Sequence, residues 1–366
     1  MKKIISALTV SALALGSLFA EVSLEYTQRG YVSSDNGHFK FAGYDDDTTN
    51  TSSAADPEDN SVVFTLSNDT AGAVVDIKPT VNKKIMLKHY YGWVNFAEGA
   101  FKLQSGIWEK RNVNEMKDDG FRWANNEYAR YALGTQSGIG KDIADLIYIE
   151  SDGAEKLSTA LSYTNENFFA TGAIVSSDYT DNKVKSGFAA EAGVKVGEGN
   201  KINVIVKNPK IRAFALGAFW ENTTLKENLD LLAGVTFGRE QNKNHEIGFD
   251  LRARYVFNET LALTTMHNLT YTGSKKQFAL WDMASLAVSA TDTIKITLTG
   301  EWEYSDLLHE KHTRNDGLGK LDFIPGVTYT PAEGVDLSSG IIIRTTGWPK
   351  AATTEYAIPF VLHVAL

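Results

Sequence analysis

Past residue 20 this chain has no apolar run long enough to cross a membrane as a helix, yet it repeats segments of about ten residues in which apolar and polar side chains alternate. In 246–257 the odd positions hold Ile247, Phe249, Leu251, Ala253, Tyr255 and Phe257, while Glu246, Asp250, Arg252 and Arg254 share the even positions with Gly248 and Val256. Successive side chains of a strand point to opposite faces, so such a segment sets an apolar surface against a charged one and separates two solvents. A chain built of these segments is predicted to be all-β, a transmembrane antiparallel β-barrel, because closure leaves no unpaired strand edge facing lipid.

Residues 1–20 stand apart. Lys2 and Lys3, an apolar stretch from Ile4 to about Leu15 and small residues leading to Ala20 have the layout of a secretory signal peptide, which leaves residues 21–366 as one barrel domain. The chain holds no cysteine, so neither a disulfide nor a lipidated cysteine stabilises or anchors it after export. Without Lys2 and Lys3 the remaining 34 basic and 45 acidic side chains give a net charge of −11, which repels phosphate and excludes nucleic acid as a partner. The 15 Tyr, 18 Phe and 7 Trp suit strands and interfacial aromatic belts. A secreted β-sandwich or β-helix is the competing fold, but it calls for several short strands with one dry face and a continuous core.

Periodicity marks nineteen segments: 21–32, 61–68, 71–78, 84–95, 100–108, 143–150, 157–164, 166–175, 186–196, 201–207, 210–220, 229–238, 246–257, 261–272, 278–289, 293–304, 321–330, 335–346 and 357–366. A single-chain barrel with both termini on one side needs an even number. The expectation is therefore about 18 strands, with 16 or 20 as alternatives, and with 127–136 as the place for a missed one. Short polar links at 197–200, 258–260, 291–292 and 331–334 are expected on the periplasmic side. Longer ones at 33–60, 109–126, 239–245, 305–320 and 347–354 are expected outside the cell.

At the carboxyl end Ile358, Phe360, Leu362, Val364 and Leu366 are apolar at every second position. Here the chain resembles bacterial outer-membrane porins, whose last strand ends in this way, although they usually finish on Phe or Trp and this chain finishes on Leu366. The Tyr/Trp-rich hairpin Tyr90 to Arg111 (YYGWVNFAEGAFKLQSGIWEKR) is loosely similar to porin-like proteins of spirochaetes. The resemblance implies an outer-membrane location, a passive diffusion channel for ions and small hydrophilic solutes, reading of the last strand by the barrel-assembly machinery, and room for a homotrimer. It implies no cofactor. Barrel width supports the channel, since barrels of 16–18 strands enclose more space than their side chains fill. The alternative is a surface protein for adhesion or antigenic display through 33–60 and 305–320.

The charged faces supply the candidate pore lining: Lys102, Arg212, Arg252, Arg254, Glu301, Glu303 and Arg344. Charge facing mid-membrane lipid costs roughly 2–4 kcal/mol for each Arg or Lys, so the lumen is the cheaper placement. Arg212, Arg252 and Arg254 are the candidates for a basic constriction, and the alternative is that they are ordinary solvated wall. Segment 109–126, with Glu109, Lys110, Arg111, Glu115, Lys117, Asp118, Asp119 and Arg122, either folds inward or stays at the surface. The acidic run Asp45, Asp46, Asp47, Asp56, Glu58 and Asp59 lacks the spacing of a calcium loop and reads as a solvated tip. No Gly-x-Ser-x-Gly or His-Glu-x-x-His pattern occurs, and His309 with His312 falls two ligands short of a metal site, so neither catalysis nor metal binding is expected. Two residues break the apolar faces, His267 and Asp282. They face a neighbouring protomer, lie near an interface or mark a register error, and the last suits Asp282 best.

Overall fold

The computed structural model describes residues 21–35, 38–43, 61–79, 85–108, 158–177, 185–208, 213–240, 245–273, 276–304, 319–348 and 352–366. They form β1 (Glu21–Asp35), β2 (His38–Gly43), β3 (Ser61–Ser67), β4 (Ala71–Pro79), β5 (Ile85–Phe96), β6 (Phe101–Ile107) and β7 (Ser158–Thr164). Next come β8 (Phe168–Ser177), β9 (Lys185–Lys195), β10 (Asn200–Lys207), β11 (Ala213–Lys226), β12 (Leu229–Glu240), β13 (His245–Asn258) and β14 (Leu261–Thr272). The last are β15 (Gln277–Ser289), β16 (Ile294–Tyr304), β17 (Gly319–Ala332), β18 (Val335–Gly340), β19 (Ile342–Trp348) and β20 (Thr353–Ala365).

These segments make a closed antiparallel barrel of 18 strands. β3 pairs with the first half of β1 and β2 with its second half, so β2 and β3 share one position in the wall. β18 and β19, on either side of Ile341, share another between β17 and β20. β1 pairs with β20 from Glu25 opposite Ala365 to Ser34 opposite Tyr356, and this seam closes the sheet on itself. β6 pairs directly with β7. The expected strand at 143–150 and the candidate at 127–136 lie outside the described residues. The expected loop 33–60 was too long at its start, because β1 runs to Asp35 and β2 follows.

Both faces follow the sequence alternation. In β13, Phe249 and Leu251 are 54% and 44% exposed, while Asp250 and Arg252, which alternate with them, are 4% and 0%. Outward aromatics gather at two heights. Near the short turns Phe96, Phe101, Tyr163 and Phe168 form a ladder with ring separations of 5.4, 5.0 and 6.2 Å, and Tyr255 meets Phe257 at 4.8 Å. Toward the other end Tyr271 meets Phe278 at 4.7 Å. An apolar band between two aromatic belts is the exterior of a transmembrane barrel.

Asparagine closes several short turns. Asn68 Oδ1 accepts from the backbone N–H of Thr70 and Ala71 (2.9 and 2.7 Å), Asn165 Oδ1 from Asn167 and Phe168 (2.9 and 2.6 Å), and Asn258 Oδ1 from Thr260 (2.9 Å). The side chain thus satisfies donors that the ladder leaves open where the chain reverses.

The alternation of His267 and Asp282 is no register error. They sit opposite each other on β14 and β15, with His267 Nδ1 2.7 Å from Asp282 Oδ1 on the outward face.

Candidate functional site

Six of the seven candidate residues are described, and all six stand at inward positions; Arg212 lies outside the described residues. Three of them share one cross-strand row. Lys201, Glu221, Leu232, Arg252, Met266, Met283, Glu301, Asp322 and Arg344 lie successively opposite one another from β10 to β19. Barrel strands tilt by about 35–45°, so a row perpendicular to them climbs the wall rather than forming a ring at one height. Arg252, Glu301 and Arg344 therefore stand at different levels along the wall.

The row is heavily paired. Lys201 Nζ is 3.4 Å from Glu221 Oε1. Trp281 Nε1 donates to Glu301 Oε1 at 2.6 Å, tying the indole to the carboxylate of the next strand. Arg344 grips Asp322 bidentately, Nε to Oδ1 at 2.9 Å and Nη2 to Oδ2 at 2.7 Å, and Lys320 Nζ approaches the same carboxylate at 3.5 Å. Such forked pairs are short and directional. Off the row, Arg254 reaches Asp230 at 3.6 Å and Glu303 reaches Lys320 at 3.9 Å. Both signs of charge thus line this wall, and each near-neutralises the other. The side chains are also packed: Arg252, Leu232 and Thr299 are 0% exposed and Trp281 is 1%.

The wall of β5 to β7 differs. A cavity of about 420 Å³ lies against it, lined among the described residues by Asn95, Lys102, Gln104, Trp108, Ser162 and Thr164 together with Gly99 and Ala100. Lys102 Nζ sits 4.9 Å from the Trp93 ring centroid, a cation–π contact that holds the ammonium beside the cavity. Trp93 lies in turn over Gly72, where an added Cβ would come within 2.1 Å of the indole. The same device recurs at Gly193 and Phe169, with Lys201 5.3 Å from that ring. An aromatic ring covering a cross-strand glycine supports a sheet where it bends, and here each ring also steers a lysine.

The inward residues that the alternation did not single out are Trp93, Glu191, Glu221, Asp230, Trp281 and Lys320. Glu191 accepts from Thr171 Oγ1 at 3.0 Å and from Asn203 Nδ2 at 3.4 Å across three neighbouring strands. Its signal was present, since Glu191 shares its face with Ala189 and Gly193, yet β9 carries so few large apolar residues that its polar face is faint. Among the described residues no group of three His, Asp or Glu side chains gathers as it would around a metal ion.

No family model matches the chain, and no curated protein matches it in sequence. Solved structures do match in shape. Pseudomonas aeruginosa OccK11 (OpdR) superposes with a TM-score of 0.58 at 8% identity, over 94% of this chain and 95% of that one. OccK3 (OpdO) of the same organism gives 0.57 at 9% identity, over 96% and 97%, and its outer membrane protein OprD gives 0.56 at 8%, over 94% of each chain. With so little sequence in common and so much of both chains superposed, the likeness is one of architecture: this chain shares the closed antiparallel barrel of those bacterial proteins.

Proposed function

We propose that the chain is an outer-membrane porin, a passive diffusion channel for ions and small hydrophilic solutes. One observation carries the reading: a closed 18-strand wall presents an apolar, aromatic-belted face outward and a charged face inward. A wall of this kind is stable only with lipid on one side and water on the other, and at this strand number the bore admits water. The shared architecture with an outer membrane protein, OprD, supports the same location. The short-turn end, with residues 21 and 366, then faces the periplasm, the strand carrying Ile358 to Leu366 is the part read by the assembly machinery, and residues 1–20 serve export. A single chain closes each bore, so every protomer conducts on its own, in a homotrimer as in a monomer.

Within the bore, solutes pass along the β5–β7 wall, beside Lys102, Gln104 and Ser162, where the cavity lies, rather than along the packed row of Arg252 and Glu301. The Lys102 ammonium, held beside this path by the Trp93 ring, biases it toward anions. Liposome swelling tests the channel. Vesicles holding the refolded protein are expected to swell in small sugars at rates that fall with sugar size, and rates equal to those of empty vesicles would contradict it.

A further inference from the structure

Among the described residues the outward face is largely apolar, and at mid-height it carries a contact between two ionisable side chains. His267 on β14 and Asp282 on β15 face each other with a 2.7 Å contact, their side chains 49% and 28% exposed. The pair lies midway between the aromatic belts. Leu263, opposite Tyr255 of one belt, and Tyr271, whose ring meets that of Phe278 in the other, are equally far from His267 along β14. The contact engages one imidazole nitrogen and one carboxylate oxygen, so the other nitrogen and oxygen remain for a partner that hydrocarbon does not supply.

Next to the pair, on the short-turn side, Ala253, Thr265, Ala284 and Gly300 lie successively opposite one another from β13 to β16. The exposed Leu251 and Trp302 flank the pair on its own row. Small side chains let two walls approach closely, and buried polar contacts hold packed membrane segments together. We propose that this face docks a second copy of the chain across a two-fold axis, with His267 of each barrel meeting Asp282 of the other above the row of small residues. The two-fold follows from the chemistry. A donor and an acceptor side by side are complementary to their own image, and a two-fold interface brings each residue against its opposite number. The outward Ser105–Thr159 contact, on the far side of the barrel, offers only hydroxyls that already bond each other at 2.8 Å. The proposal rests on the membrane-spanning reading, since in water an exposed His–Asp pair needs no partner.

The chain has no cysteine, so single cysteines report on the contact cleanly. Ala284→Cys is placed at the proposed axis and Ile174→Cys, 66% exposed on the far wall, serves as the control. Each is refolded into phosphatidylcholine vesicles, scored first for insertion by heat-modifiable migration, and then oxidised with copper–phenanthroline at high lipid-to-protein ratio. Ala284→Cys is expected to become mostly covalent dimer while Ile174→Cys stays mostly monomeric, and adding His267→Leu with Asp282→Leu is expected to abolish the dimer while insertion persists. Equal cross-linking of the two cysteines, a dimer that survives the double replacement, or three chains per particle by native mass spectrometry of the unmodified protein would overturn the two-fold. Failure of the unmodified protein to insert would overturn the membrane reading instead, and insertion is scored before oxidation.

Discussion

At the scale of single residues the inner wall divides its charges into those packed in the cross-strand row and those that line the cavity against β5–β7. Asp322 is 1% exposed and receives both Arg344 and Lys320. Replacing it with Asn leaves two cations facing a neutral amide, and breaking a buried pair in this way costs roughly 3–5 kcal/mol; the midpoint of urea unfolding in lipid vesicles is expected to fall accordingly. Lys102 belongs to the second group. Lys102→Glu is expected to move the reversal potential under a salt gradient toward cations, and by more than Lys201→Glu, which stands away from that cavity. Double replacement of Arg252 and Arg254 by Ala is also expected to move it toward cations, because Asp230 loses its partner. An unchanged potential would make both arginines structural only. Gly106 illustrates a backbone constraint: at φ +139 an added Cβ would meet the Tyr90 carbonyl oxygen at 2.3 Å. Gly106→Ala is expected to destabilise the barrel by about 1–3 kcal/mol, as a held residue in a region other side chains avoid does.

At the scale of elements the strand is a two-sided object, and the side decides what a substitution does. Leu251→Lys, outward at mid-height, is expected to cost roughly 2–4 kcal/mol in the same unfolding assay, whereas Ser162→Lys, inward beside the cavity, is expected to alter conductance with little such loss. The same two-sidedness explains what was legible in advance. β13 and β16 set mostly apolar residues against charged or polar ones along nearly their whole length, so their faces and limits were plain from the sequence. β2 was not, because its six residues hold only Phe39 and Phe41 as a pattern and its place is set by pairing with β1. The break at Ile341 was hidden too, since alternation continues through it. Cross-strand partners lay further from view. That Arg254 meets Asp230, or Trp281 meets Glu301, depends on register, and register depends on turn geometry as well as on pattern. His267 and Asp282 show the point from the other side. Each alone looked like a fault in its strand, yet counting outward from the turn between β14 and β15 sets them opposite each other.

For the whole molecule the deciding quantity is the strand number. A barrel of few strands fills with its own side chains, while one of 18 encloses water unless its bore is blocked. The seam between β1 and β20 makes that bore the work of one chain and pairs the edges of its first and last strands. Cooperative unfolding is therefore expected to depend on the seam: deleting 357–366 removes most of the partner of β1 and is expected to abolish heat-modifiable migration altogether. The central claim, a water-filled path through this wall, is tested most directly by single-channel recording of the refolded protein in a planar bilayer under a salt gradient, against a detergent-only control. The account predicts stable conductance steps with a reversal potential that shifts toward cations on Lys102→Glu. Insertion of a heat-modifiable barrel that passes no current would contradict it.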